Sequence, residues 1–121
     1  MKYVDGYVLA APKKNLEAYQ KMAEDGGKVW KKHGALQYFE CVGDDMKPEF
    51  AGITFPSIVK AKSSETVIFS FIVFNSREHR DEVNAKVMKD PLMDPANFKD
   101  KPMPFDMKRM VYGGFKTIVE A

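Results

Sequence analysis

The stretch Glu65–Asn75, ETVIFSFIVFN, decides the fold. Alternation along a strand places Val67, Phe69, Phe71 and Val73 on one side and Ile68, Ser70, Ile72 and Phe74 on the other. A strand with one solvated side reads apolar-polar-apolar. This one is apolar on both sides, so both faces of its sheet are expected to be covered. Outward from it, Tyr3–Ala11 alternates in strand fashion and stops at Pro12. Leu16, Tyr19, Ala23, Gly27 and Trp30 then recur at spacings of three and four, the stripe of an amphipathic helix that Gly34 ends. Glu17 with Lys21 and Glu24 with Lys28 support its outer side by about 0.2–0.5 kcal/mol each. Gly26-Gly27 weakens that helix by about 1 kcal/mol per glycine relative to alanine, so a bend or a close approach is expected there.

Ala35–Gly43 reads as the second strand, and Met46–Ala61, with Pro48, Gly52 and Pro56, as an ordered excursion holding a short helical turn. Past the central strand, Asn75 opens a helix, with Glu78 three residues on, and Asp90-Pro91 closes it. Pro91–Pro104 carries four prolines and reads as a loop, and a last strand runs from about Arg109 to Val119. The order β-α-β-β-α-β predicts an α+β fold of the ferredoxin-like kind, a four-stranded antiparallel sheet with two helices on one face. Residues 1–121 make one domain. The helices cover one face only, so a second copy is expected on the other, giving a homodimer with sheets packed face to face.

Composition excludes several classes. Nineteen basic residues against seventeen acidic ones leave a net charge of +2, far from the basic stripe of a nucleic-acid binder. The longest uncharged runs, Thr66–Ser76 and Phe50–Val59, fall well below the ~20 residues of a membrane span. The opening MKYVDGYVLAAP does not read as a signal peptide. A single cysteine, Cys41, allows no internal disulfide and suits a reducing cytoplasm. No dinucleotide fingerprint, phosphate-binding loop or zinc-protease motif occurs.

Four segments carry a recognisable pattern: YVDGYVLAAP from Tyr3, HGALQYFEC from His33, ETVIFSFIVFNSREHRDEVNAKVMKDP from Glu65 and MPFDMKRMVYGGF from Met103. Together they resemble the YbaA-like family of uncharacterised bacterial proteins, over nearly the whole chain from Lys2 to Val119. The resemblance implies a dimeric α+β barrel and supplies no function. Related folds host cofactor-free monooxygenases, haem enzymes, isomerases and stress-response modules, so the fold assigns no chemistry. An RNA role attached to some family members finds no support in the charge.

Strand faces sort the candidate residues. Tyr3, Asp5, Tyr7 and Leu9 share a face, as do Leu36, Tyr38, Glu40 and Val42, and Met110, Tyr112, Gly114 and Lys116. The opposite faces carry Val4, Gly6 and Val8, then Gln37, Phe39 and Cys41, then Val111, Phe115 and Val119. The purely apolar face is expected under the helices. The other gathers Asp5, Glu40, tyrosines and Ser70 in an apolar setting, where carboxylates are perturbed and functional sites form. As a site, Glu40 or Asp5 is a general base and the tyrosines, Tyr7 and Tyr38 among them, orient a small aromatic or enol-like molecule. As structure, each acid pairs across the dimer and fixes register.

Asp106 and Arg109 stand three apart; a bidentate pair would lock the Pro-rich loop, while as a site Arg109 would take an anionic group. Arg80, beside Asp81 and Glu82, reads as a solvated charge. Trp30 closes the apolar stripe, and a pocket between helices and sheet would be lined by Trp30 and Phe39. His33 reads as a helix end and His79 as surface. Cys41 is expected inward and unreactive. Gly113-Gly114 marks a bulge or a close approach. Two histidines and one cysteine, at no ligand spacing, give no metal site, and no cofactor is implied. Two functions remain. One is a protein that binds a small organic molecule, with enzyme activity needing no cofactor as its extension. The alternative is a non-catalytic dimeric binding or regulatory module of the stress-related kind.

Overall fold

In a computed structural model, residues 1–98 and 103–121 are described; of the loop expected at Pro91–Pro104, residues 99–102 lie outside them. Strand β1 (Tyr3–Pro12) leads through a 3-10 turn into helix α1 (Leu16–Lys32), then strand β2 (Gln37–Val42). Helix α2 (Phe55–Ile58) is the turn expected in the excursion, followed by strand β3 (Glu65–Phe74), helix α3 (Arg77–Met88) and strand β4 (Val111–Lys116). Helix α1 ends where the chain turns left-handed at Gly34, φ +116°, a conformation that glycine enters without a Cβ penalty. Helix α3 starts one residue later than expected. Ser76 is the cap, its hydroxyl accepting from the His79 N–H at 3.0 Å, because serine oxygen reaches the third residue of the turn.

The four strands form one antiparallel sheet in the order β2-β3-β1-β4. Tyr7 stands opposite Ser70 and Tyr112, Asp5 opposite Ile72 and Gly114, and Glu40 opposite Ser70. Opposed residues share a face, so Asp5, Tyr7, Tyr38, Glu40, Ser70 and Tyr112 stand on one side. The pairing of β1 with β4 runs unbroken from Tyr3–Lys116 to Val8–Val111, so Gly113-Gly114 makes no bulge. The glycines serve close approach instead: a Cβ on Gly114 would press into the Tyr3 ring, and one on Gly113 would meet Phe115 at 3.3 Å. The last strand is also shorter than expected, since the turn Met107–Arg109 is capped by Asp106 before it.

The covered face is the reverse of the one expected. Helices α1 and α3 lie on the polar, tyrosine-bearing face, where Tyr19 and Ala23 pack on Leu9 and Ile68, and Val83 and Val87 on Ile72 and Phe74. The apolar face is left open over much of its area: Phe39 is 47% exposed and Phe115 62%. One end of it is covered, where Val59, Met46 and Ala61 close over Ala10 and Val67. The physical reason lies in the helices, whose inner sides carry hydrogen-bonding groups as well as apolar ones. Tyr19 and Arg80 bring partners to polar groups on the sheet that an all-aliphatic helix face would leave unsatisfied, and Trp30 of α1 donates to Asn84 of α3, tying the two helices together.

Candidate functional site

Two polar clusters lie beneath the helices. In the first, the edge strand β2 sends Tyr38 and Glu40 toward α1. The Tyr19 hydroxyl donates to Glu40 Oε1 and the Tyr38 hydroxyl to Glu40 Oε2, both at 2.7 Å. Burial is the main influence on the Tyr19 phenol and the Glu40 charge adds to it, so its ionisation is pushed far above the ordinary range. Tyr38 behaves likewise, with burial first and the hydrogen bond to Glu40 second. Both phenols therefore remain protonated donors. The Tyr38 ring passes close to α1, where a Cβ on Gly27 would lie 2.9–3.1 Å from its carbons. That is the close approach anticipated at Gly26-Gly27.

Over this trio a groove of about 640 Å³ opens between α1 and β2. Leu16, Ala23, Gly27, Val42 and Ile68 give it apolar walls, and Gln20, Glu24, Lys28 and Lys31 stand along its rim. Its size falls within the usual range of small-molecule sites, about 300–1,000 Å³.

The second cluster surrounds Asp5, which is fully buried. Arg80 Nη1 donates to Asp5 Oδ1 at 2.8 Å and to the Tyr112 hydroxyl at 2.8 Å, and that hydroxyl donates to Asp5 Oδ1 at 3.1 Å. Asp5 Oδ2 is buried with no hydrogen-bond partner among the described residues. Arg80 also rests over the Tyr3 ring, 5.0 Å from its centre, and its Nε reaches Asp81. Burial works against the Arg80 charge, and Asp81 and Asp5 outweigh it. Arg80 is thus a largely covered partner of a buried acid rather than a solvated charge. Tyr7 lies between the clusters, packed on Tyr112 with ring centres 4.9 Å apart. Burial, then the charge of Asp5, raises its phenol well above the ordinary range.

Away from this face, Arg109 forks onto Glu65, Nη1 to Oε1 at 2.8 Å and Nη2 to Oε2 at 2.6 Å, and only its Nε reaches Asp106, at 3.1 Å. The bidentate partner is therefore Glu65, not Asp106. Asp106 spends its other oxygen on the Lys108 N–H as a turn cap, which leaves one for Arg109. The Arg109 hydrogen bonds and the Lys62 N–H lower the Glu65 carboxyl to about 2. These groups line a small cleft of about 240 Å³ with Pro12, Asn15 and Phe105. His33 caps α1 and its ring meets Asp90 at 2.7 Å, so its role extends to joining the ends of α1 and α3. His79 is half-buried, its Nδ1 accepting from the Asn75 N–H.

Of the residues singled out from the sequence, Tyr38 and Glu40 line the groove, with Tyr7 nearby on the same face and Trp30 behind Tyr38. Asp106 and Arg109 lie apart from them. Phe39 lines no space under the helices; it stacks on Phe71 on the open face. Cys41 is exposed, not inward, because its strand lies at the sheet edge and its face is the open one. Asp5 and Glu40 find partners within the chain, beneath the helices. Tyr19 is the residue that the sequence pattern hides: it counts as one member of an apolar stripe, and its phenol is the signal that the stripe faces an acceptor. Among the described residues no cluster of three histidine, cysteine or carboxylate side chains is arranged to hold a metal, and no helix is long and apolar enough to cross a membrane.

Comparison with known proteins places the chain among uncharacterised relatives. Residues 2–107 match the family model described as a protein of unknown function, DUF1428. The uncharacterised protein YbaA of Escherichia coli strain K12 is 43% identical over 120 residues, covering 99% of each chain, and YbaA of Shigella flexneri matches to the same extent. Among solved structures, a NIPSNAP family protein of unknown function from Agrobacterium tumefaciens superposes with a TM-score of 0.56 at 19% identity, over 96% of this chain and 87% of its own. That likeness carries the α+β fold and nothing about chemistry.

Proposed function

This chain belongs to the DUF1428 family of proteins of unknown function, and for it we propose small-molecule binding in the groove between α1 and β2. The observation that carries this is Glu40, a carboxylate at the foot of an apolar groove with each oxygen held by a phenol. Fixed hydrogen bonds orient its remaining lone pairs, which is what a binding group or a general base requires. The proposal extends to an enzyme without an organic cofactor, in which Glu40 takes the proton. The assembly that supports the groove is a homodimer of ferredoxin-like chains closing as an α+β barrel through the open sheet face. Exposed Phe39, Phe69 and Phe115 on that face favour a second copy there. An exposed free Cys41 suits a reducing compartment, and we place the protein in the cytoplasm.

Native mass spectrometry of the purified protein, followed by a metabolite thermal-shift screen on wild type and Glu40→Gln, tests the reading. It expects a dimer mass and at least one compound that raises the unfolding temperature of wild type and not of the variant. A screen in which every active compound shifts both proteins equally would overturn the groove. The second reading, a non-catalytic regulatory module, draws on Glu40 also tying β2 to α1 through Tyr19. It expects Glu40→Gln to lower stability with no compound separating the two proteins.

A further inference from the structure

The groove floor offers hydrogen-bond acceptors and no donors. A phenol has one hydrogen, and both Tyr19 and Tyr38 have given theirs to Glu40. An ionised carboxylate donates nothing and has room for about four donors in all, so Glu40 keeps lone pairs free after accepting two. The phenol oxygens keep theirs as well. Burial and the Glu40 charge hold both phenols protonated, so neither turns into a second anion. Of the other lining residues, Leu16, Ala23, Gly27, Val42 and Ile68 supply no side-chain donor, and Cys41 supplies only a weak thiol from the opposite face of β2. On the rim, Gln20 spends one amide hydrogen on Glu24 at 3.4 Å and Lys31 one ammonium hydrogen on the Leu36 carbonyl at 2.8 Å, and the hydrogens they keep belong to exposed side chains above the floor. Lys28 is exposed there, four residues from Glu24, where water and salt screen it.

A guest reaching this floor must therefore bring its own hydrogens. A carboxylate or phosphate would set lone pairs against lone pairs and a negative charge against Glu40. A protonated amine reverses both terms. Its N–H groups meet Glu40 and the phenol oxygens, and its charge meets a carboxylate. We infer that the groove selects an organic ammonium ion with a compact apolar body, its nitrogen on Glu40 and its body against the Leu16, Ala23 and Ile68 wall. The inference rests on the groove being a binding site and adds the chemical class of its ligand.

Three probes of one skeleton separate the classes: 2-phenylethylamine, phenylacetate and 2-phenylethanol, titrated by calorimetry near neutral pH with amide NMR shifts recorded in parallel. The expected result is amine binding at least about tenfold tighter than either analogue, with shifts at the Gly26, Gly27, Tyr38 and Glu40 amides. In Glu40→Gln the amine preference disappears, since the new amide brings a donor. Tyr38→Phe, which keeps the carboxylate, retains the preference and guards against a Glu40 variant that merely unfolds. Phenylacetate or phenylethanol binding at these amides as tightly as the amine would overturn the ammonium assignment and leave the groove standing. Absence of groove shifts with all three probes overturns the assignment too, while the metabolite screen tests the groove separately.

Discussion

The two faces of the sheet invert the usual division between inside and outside. The face under the helices holds a buried acid, a second acid half-buried, and a row of phenols; the open face holds phenylalanines and valines. The comparison teaches that burial here follows hydrogen-bond supply more than hydrophobicity. Helices α1 and α3 come to the polar face because Tyr19 and Arg80 arrive with them. The open face asks only for apolar contact, which any complementary apolar surface provides.

Replacing Asp5 by alanine is the hardest blow to that picture. Arg80, largely covered, would lose its buried carboxylate and keep the exposed Asp81, and breaking such a buried pair costs up to about 3–5 kcal/mol. Urea unfolding should show that loss; a change under about 1 kcal/mol would mean that the covered face is held by its aliphatic contacts alone.

A smaller and more local contrast lies in two adjacent glycines. Gly27→Ala forces a methyl against the Tyr38 ring at 2.9–3.1 Å, and overpacking of this kind costs about 1–3 kcal/mol. Gly26→Ala meets the Tyr38 hydroxyl at 3.4 Å and the Trp30 ring at an ordinary 3.9 Å, so it should gain up to about 1 kcal/mol of helix propensity. Thermal unfolding of the pair checks the sign. Equal effects in the two variants would remove the Tyr38 contact as the reason for the double glycine.

On the open face the expectation is of another kind. Phe39→Lys with Phe115→Lys should leave the folded chain within about 1 kcal/mol of wild type at low concentration while converting a dimer to a monomer in light scattering. Collapse of the monomer, or an unchanged mass, would show that this face has a different role.

Acid gives the mildest effect. The folded Glu65 and Asp90 carboxyls are lowered to about 2, below their unfolded values, so the unfolded chain binds protons first as pH falls. Their contribution is complete above the unfolded carboxylate range and fades as pH drops toward about 2. The stability gap between wild type and Glu65→Gln should be level above pH ~5 and narrow below it. A gap that widens in acid would contradict the Arg109 fork.

Much of this architecture is legible in the sequence. The order of elements follows from the alternation in Tyr3–Ala11 and ETVIFSFIVFN and from the helical stripe through Leu16 and Trp30. Gly26-Gly27 announces the approach of a side chain without saying whose. The choice of face is not legible. Periodicity separates two sides of a strand and carries no sign for which side the helices take. Arg80 misleads for a related reason: among Asp81 and Glu82 it looks solvated, and only the register that sets Asp5 opposite Gly114, beneath α3, makes it an inner residue. At the groove, Glu40 and Tyr38 are readable from spacing two apart on one strand. Tyr19 needs the third dimension, since no local pattern tells a phenol that fills space from one that donates.

Trp30 is the chain's single tryptophan. Its ring lies 6.2 Å from that of Tyr38, whose hydroxyl rests on Glu40, and its indole N–H is tied to Asn84 on α3. The molecule thus carries one indole, anchored to a helix outside the groove and separated from the floor by a single aromatic ring. Any guest that displaces Tyr38 alters the surroundings of that indole, so emission intensity and wavelength follow occupancy without a label.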